Sequence, residues 1–354
     1  MFTPPPDVHG RDRPDRFMRG LAALMSVYSK LIAFDRPRPP VRAVNRDLRL
    51  VVDDARAEAD DVRSLRLVPA DGAALPAWSP GAHIDVVLPS GRQRQYSLCG
   101  DPADRGCYRI AVRRIADGGG GSREVHAELD VGSRITARGP RNAFPFIRAQ
   151  RYLFVAGGIG ITPILPMVRA AAAAGTDWRF VYCGRSRESM PFLDEIARLA
   201  PERVWVRPDT EYGVPVSSGE LLEHAPEDAT VYCCGPVPMI TGVRMDLAIS
   251  RAAELHSERF SAPPIVDGKP FDLHLERTGR TLHVPEDRTA LEVVREALPD
   301  VAYSCRQGFC GTCKVGLLSG TAEHRDHVLT DDERADSMTI CVSRAEQGPL
   351  VLDL

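Results

Sequence analysis

Four of the nine cysteines constrain this chain more than any other feature. Residues 304–314 read SCRQGFCGTCK, which sets Cys305, Cys310 and Cys313 in a C-x-x-x-x-C-x-x-C run, and Cys341 follows after 27 further residues. That is the ligand spacing of a plant-type [2Fe–2S] cluster, in which three thiolates from one tight loop and a fourth from elsewhere converge on two irons. Gly308 and Gly311 give such a loop the positive φ and the close backbone approach it needs, so that N–H groups can point at the sulfurs. A zinc ribbon would pair two short C-x-x-C knuckles, whereas only Cys310 and Cys313 form one here. A redox C-x-x-C would sit beside a βαβ unit, and this one follows FDLHLERTGRTLHV and TALEVVREAL, a strand–strand–helix pattern. The other five cysteines, Cys99, Cys107, Cys183, Cys233 and Cys234, lie scattered or adjacent in strand-like stretches. They fit reduced thiols in a cytoplasmic protein.

A chain of 354 residues exceeds one hydrophobic core, and composition changes cut it into parts. Residues 1–42 form a basic extension in which Phe17, Leu21, Leu24, Tyr28 and Leu31 fall at helical spacing. That amphipathic helix is expected to pack on the protein body, with contact to an anionic membrane as the second reading. No long apolar run could span a bilayer.

From 43 to 145 short β-like runs (LRLVV, VRSLRLVP, HIDVVLP, RQYSLCG, CYRIAVRRI, SRITARG) alternate with Pro, Gly and Asp punctuation, the pattern of a small antiparallel β-barrel. From 146 to 260 strands alternate with helices, which implies an α/β parallel sheet. Residues 261–270 are a Pro/Gly linker, and 271–354 form a compact third unit. The net charge of −3 hides an asymmetry: residues 1–42 carry eight Lys/Arg against four Asp/Glu, and residues 265–354 carry ten against sixteen. The acidic end suits a basic partner surface, and nothing resembles a nucleic-acid footprint.

Two stretches upstream of the cysteines have the makings of cofactor sites. In the barrel part, Arg94-Gln95-Tyr96-Ser97 ends a strand, and Gly120, Gly121 and Ser122 lead into the helical stretch REVHAEL. A helix N-terminus, a hydroxyl and an arginine make an anion site fit for a flavin phosphate. In the α/β part, YLFVAGGIGITPILPM is a strand, a glycine turn and a helix start. Gly157, Gly158 and Gly160 would let the backbone approach a pyrophosphate, Thr162 offers a hydroxyl and Pro163 suits N1 of the helix. Close helix–strand packing would demand the same glycines. A second strand end, Cys233-Cys234-Gly235-Pro236, repeats the geometry. Beyond WRFVYCG come Arg185, Ser186 and Arg187, with no acidic residue to hold a ribose 2′-hydroxyl.

The third unit resembles a plant-type ferredoxin domain of the β-grasp-like α+β kind. R-Q-Y-S with G-G-I-G-I-T-P and C-G-P is similar to the flavin and nicotinamide motifs of the ferredoxin reductase superfamily. Over 43–354 the domain order resembles the phthalate dioxygenase reductase and vanillate O-demethylase reductase family. The resemblance implies Arg94 on the flavin phosphate, Tyr96 against the flavin, Ser97 near its reactive N5, and Phe260 of HSERF on the ring. It implies FMN rather than FAD and NADH rather than NADPH, and the Cys234 thiol is expected either to help position the nicotinamide or to serve there as a passive small residue. It implies a reductase that passes electrons from NADH through flavin and cluster to a terminal oxygenase, either a Rieske-type dioxygenase or O-demethylase or a cytochrome P450. A stand-alone flavin or ferric reductase is the rival reading, and the basic segment 1–42 departs from the family pattern.

Overall fold

A computed structural model of the chain describes residues 47–116, 120–260, 265–303 and 305–354. The helix expected at 14–34, the first glycines of the 118–121 run and the start of the 261–270 linker lie outside the described residues. Residues Asp47–Leu354 make one compact unit of three sheets.

The first sheet is antiparallel and has six strands: β1 (Asp47–Ala59), β2 (Val62–Pro69), β3 (Ala82–Val87), β4 (Gln93–Ser97), β5 (Tyr108–Arg113) and β6 (Arg134–Asn142). Their order is β4-β3-β6-β1-β2-β5, and the two outer strands approach each other without a ladder between them. This is the curled half-barrel expected from the short punctuated runs. Leu50, Val52, Leu65, Leu67, Ile84 and Val86 fill its interior from alternating positions. One helix, α1 (Gly121–Glu128), follows β5 and starts at the open edge beside β4.

The second sheet is parallel. It contains β7 (Arg151–Gly157), β8 (Asp177–Gly184), β9 (Val204–Pro208), β10 (Thr230–Cys234) and β11 (Glu254–Glu258), in the order β11-β10-β7-β8-β9. Six of the seven β7 residues are buried, as a strand covered on both faces requires. Helix α2 (Ile161–Ala173) follows β7, and α3 (Val237–Asp246) follows β10. Strand β11 is not among the runs that the sequence pattern marks as strands. ELHSE is polar and only half-buried, so its pairing with β10, not its own pattern, makes it a strand.

The third sheet is mixed: β12 (Phe271–Leu275), β13 (Arg280–Val284), β14 (Lys314–Glu323), β15 (Ser337–Thr339) and β16 (Arg344–Leu352), in the order β13-β12-β16-β14-β15. Helix α4 (Ala290–Ala297) crosses it with Leu291 and Val294 buried. Its N-terminus is fixed by a capping box: Thr289 Oγ1 accepts from the Glu292 N–H at 3.2 Å, and the Glu292 carboxylate accepts from the Thr289 N–H at 3.0 Å. Among the described residues no helix is long and apolar enough to cross a membrane.

Candidate functional site

The cluster loop connects α4 to β14 and is shaped by residues in the left-handed region: Arg306 at φ 56°, Gly308 at 78° and Gly311 at 70°. A Cβ on Gly308 would stand 2.7 Å from Val342 Cγ2 and 3.1 Å from Asp326 Cα, so only glycine fits there. Arg306, which carries a side chain at such a φ, is held by a 2.7 Å hydrogen bond to Glu292 at the start of α4. The loop backbone turns its donors inward. The Gln307 N–H reaches Cys305 Sγ at 3.3 Å, the Phe309 N–H also serves Cys305, Gly308 serves Cys341, and Thr312 serves Cys310.

The four thiols stand as two pairs. Cys305 donates to Cys310 and Cys341 donates to Cys313, so hydrogen bonding pulls Cys310 down to about 5 and Cys313 below the ordinary thiol range. Their partners Cys305 and Cys341 are held well above it by the same bonds. Among the described residues no group of three or more His, Cys, Asp or Glu side chains is gathered as a single metal ion needs. Two thiol pairs ringed by N–H donors would suit the four thiolates of a binuclear cluster.

Next to this loop lies a cavity of about 340 Å³. One wall is β4, with Arg94, Tyr96 and Ser97. A second is the start of α1, with Gly121 and Ser122. Ile159, Thr162, Glu258 and Phe260 of the parallel-sheet part form a third, and Cys305 and Arg306 close the cavity from the cluster loop. Arg94 is laid over the N-terminus of α1: a Cβ added to Gly121 would meet its Nε at 2.6 Å. Gly120 caps that helix at φ 79° with no side-chain cap, leaving its first N–H groups to a ligand. The Tyr96 hydroxyl is buried and without a hydrogen-bond partner, and burial pushes it up to about 12. A buried orphan hydroxyl beside an anion-binding helix end is what a polar ring system with a phosphate would complete. Phe260 is half exposed along the same wall.

The glycine turns behave differently from a simple pyrophosphate cradle. A Cβ at Gly160 would lie 2.2 Å from the Cys234 carbonyl oxygen, and one at Gly157 would lie 2.6 Å from Pro236 Cδ and 3.2 Å from Gly235 Cα. These glycines let the strand ends of β7 and β10 pack face to face. Gly158, at φ 55° with open space about it, is the glycine of the turn that presents backbone outward. Pro163 is the third residue of α2, not the first. Having no N–H, it cannot satisfy the Ile159 carbonyl, and the Thr162 hydroxyl donates there instead at 3.0 Å. Arg185 is exposed at the end of β8, and Pro236 is exposed beside Gly235.

Cys234 is fully buried and burial holds its thiol far above the ordinary range. It does not line the cavity. Its partner across the sheet does: Glu258 pairs with Cys234 in register, and sequence reasoning passed over it. Glu258 Oε2 is buried without a hydrogen-bond partner, and desolvation lifts the carboxyl to about 8 from an ordinary 4.5. Because the folded state holds this proton more tightly, the stability Glu258 contributes is complete below 4.5 and is lost as pH rises through 8. In thermal unfolding of the holoprotein, Glu258→Gln is expected to match the parent at about pH 4 and to melt higher at about pH 9. Parallel profiles for the two proteins would refute that assignment.

Two family models match: "2Fe-2S iron-sulfur cluster binding domain" over residues 273–346 and "Oxidoreductase NAD-binding domain" over 154–245. Phthalate dioxygenase reductase of Burkholderia cepacia is 38% identical over 314 residues, 87% of this chain and 97% of the relative. A solved phthalate dioxygenase reductase, described as a modular structure for electron transfer from pyridine nucleotides to [2Fe–2S], superposes at TM-score 0.69 and covers 87% of this chain and 98% of that one. An intact type IV self-sufficient cytochrome P450 monooxygenase gives TM-score 0.71 and 41% identity over 90% of this chain. This chain spans only 43% of that protein's length. With both domain models matched in order and a relative covered nearly end to end, the chain belongs to the phthalate dioxygenase reductase family of iron–sulfur oxidoreductases.

Proposed function

We propose that the protein is an NADH-dependent reductase that holds FMN in the 340 Å³ cavity and a [2Fe–2S] cluster on Cys305, Cys310, Cys313 and Cys341, and that it supplies single electrons to a terminal oxygenase. The observation that carries this reading is the shared wall: Arg94 and Tyr96 of the flavin side and Cys305 of the cluster loop line one cavity. When bound, flavin and cluster supply the conversion of a two-electron hydride into single electrons. The chain's own residues bind and orient. Arg94 and the α1 N-terminus would take the phosphate, Tyr96 and Phe260 would hold the ring, and Ser97, 7% exposed on the same wall, would offer it a hydroxyl. Cys234 sits behind Glu258 as packing, and Gly158, Gly160, Gly235 and Pro236 shape the dinucleotide approach. FMN rather than FAD is the reading that the resemblance to the phthalate dioxygenase reductase family supports.

NADH is favoured over NADPH by the fate of the arginines after β8. The Arg187 guanidinium is engaged by Glu211 through two hydrogen bonds, Nε to Oε1 at 2.5 Å and Nη2 to Oε2 at 3.0 Å. Its charge is therefore matched before any 2′-phosphate arrives, and Glu211 would repel that phosphate. Glu211→Gln is expected to raise kcat/KM for NADPH by roughly five- to tenfold while that for NADH changes little, the scale of one charge-assisted hydrogen bond. Steady-state kinetics with both nucleotides measures this, and an unaltered preference would remove the pair from specificity.

For the acceptor, a Rieske-type oxygenase component is the first reading, on the strength of the phthalate dioxygenase reductase relative. A cytochrome P450 is the second, favoured by 41% identity to the self-sufficient P450. The acidic cluster domain fits a basic docking face on either. Anaerobic reduction of one purified example of each by NADH and catalytic reductase decides between them: the true class of partner is reduced at rates that fall with ionic strength.

A further inference from the structure

Around the cavity, the cluster-bearing part meets the other two through amide side chains, and the ion pairs there are marginal. Arg138 and the 92%-exposed Asp300 are 3.7 Å apart, a contact that water and salt screen. Gln307 is different. Its Nε2 donates to the Arg259 carbonyl at 2.5 Å, and its Oε1 accepts from Arg259 Nε at 3.2 Å, a two-point grip. Arg259 lies between Glu258 and Phe260 on the cavity wall, while the Gln307 N–H donates to the ligand Cys305 at 3.3 Å. One residue thus ties the cluster's first ligand to the wall of the flavin cavity.

Gln93 does the same on the opposite side. Its Oε1 accepts from Arg295 Nη2 of α4 at 2.9 Å and from the Tyr303 hydroxyl at 3.0 Å, and the Arg295 guanidinium lies 4.2 Å over the Tyr303 ring. Gln93 is the first residue of β4 and precedes Arg94, whose side chain lies over the start of α1. Tyr303 stands two residues before Cys305. The two latches therefore reach both flanks of the cavity from both sides of the cluster loop. Their neutrality is physically apt, because a carboxylate in either place would add a fixed charge beside the thiolates and disfavour taking up an electron.

We propose that Gln93 and Gln307 are positioning residues that hold the cluster loop in register with the flavin cavity, so that a single electron passes from reduced flavin to the ferric cluster at a fixed separation. One electron is lost by the flavin and one is gained by the iron pair; no bond forms at the cluster and NADH is the ultimate reductant. This rests on the proposed flavin and cluster, so the experiment first requires that the unaltered holoprotein bind both and bleach both with NADH. Failure at that stage sinks the functional reading and not the latches alone.

The test compares the parent with Gln307→Ala, Gln93→Ala, the double variant and Gln307→Glu, each as flavin- and iron-loaded protein. In anaerobic stopped-flow with NADH, the ratio of the cluster reduction rate to the flavin reduction rate is expected to fall by roughly tenfold in a single alanine variant and further in the double, the scale on which slight misplacement acts. Gln307→Glu is expected to lower the cluster's reduction potential as well. Hydrogen exchange should quicken at 305–310 and at 259–260 together, a readout independent of turnover. An unchanged ratio in the double variant overturns the proposal. So does loss of iron or flavin from the alanine variants, which would make the glutamines part of cofactor retention rather than of alignment.

Discussion

Cys310→Ser is expected to reduce the iron content of the purified protein from about two per chain to near none and to abolish NADH-driven reduction of any protein acceptor. Cys310 is the thiol most readily ionised in its pair, because Cys305 donates to it and the Thr312 N–H faces it. A serine hydroxyl in that place keeps the volume and the hydrogen bond but cannot ionise near neutral pH, so one iron loses half of its protein ligands. The cavity lies on the Cys305 side of the loop and retains its flavin walls, so reduction of a small dye by NADH is expected to survive. Metal analysis with parallel dye and protein-acceptor assays checks both halves. A variant that lost protein and dye reduction together would mean that the loop supports the flavin site structurally.

Arg94→Ala is expected to weaken flavin binding by roughly 10²-fold, the cost of removing a charged donor from a phosphate site. Its side chain lies over the first turn of α1, where a Cβ on Gly121 would meet Arg94 Nε at 2.6 Å, so in the proposed site charge and helix N–H groups would converge on one phosphate. Without it the helix end remains, and residual affinity should depend more weakly on salt. Arg94→Lys keeps the charge but loses the planar fork, and should recover only part of the affinity. Flavin fluorescence titration of the deflavinated protein measures all three. Equal affinities for the parent and the alanine variant would place the phosphate elsewhere.

The sequence was most informative where chemistry demands a local pattern. A C-x-x-x-x-C-x-x-C loop must be written within nine residues, so Cys305, Cys310 and Cys313 stand out as candidates, as do Arg94 and Tyr96, which share a face of one strand and line one cavity. Largely apolar runs such as YLFVA and WRFVYCG read correctly as buried parallel strands. What stayed hidden depends on long-range assembly. Glu258 is an ordinary glutamate in HSERF until β11 pairs with β10 and the cavity closes over it. The engagement of Arg187 by Glu211 joins the ends of two neighbouring strands, and no local pattern after WRFVYCG records it. Gln93 meets Arg295 and Tyr303 from more than two hundred residues away, across a junction that no local pattern records. The glycines of G-G-I-G admitted two readings, pyrophosphate approach and close packing, and only the assembled sheet shows that Gly157 and Gly160 abut the end of β10 while Gly158 has open space about it.

The central claim is that one chain carries a two-electron flavin and a one-electron cluster in working contact. Its most direct test is an anaerobic titration of the purified protein with NADH, followed by absorbance and electron paramagnetic resonance. The account predicts uptake of about three electrons per chain, two assigned to a flavin and one to an iron–sulfur signal that Cys310→Ser eliminates. Uptake of two electrons with no iron signal, from protein that retains its full iron, would contradict it.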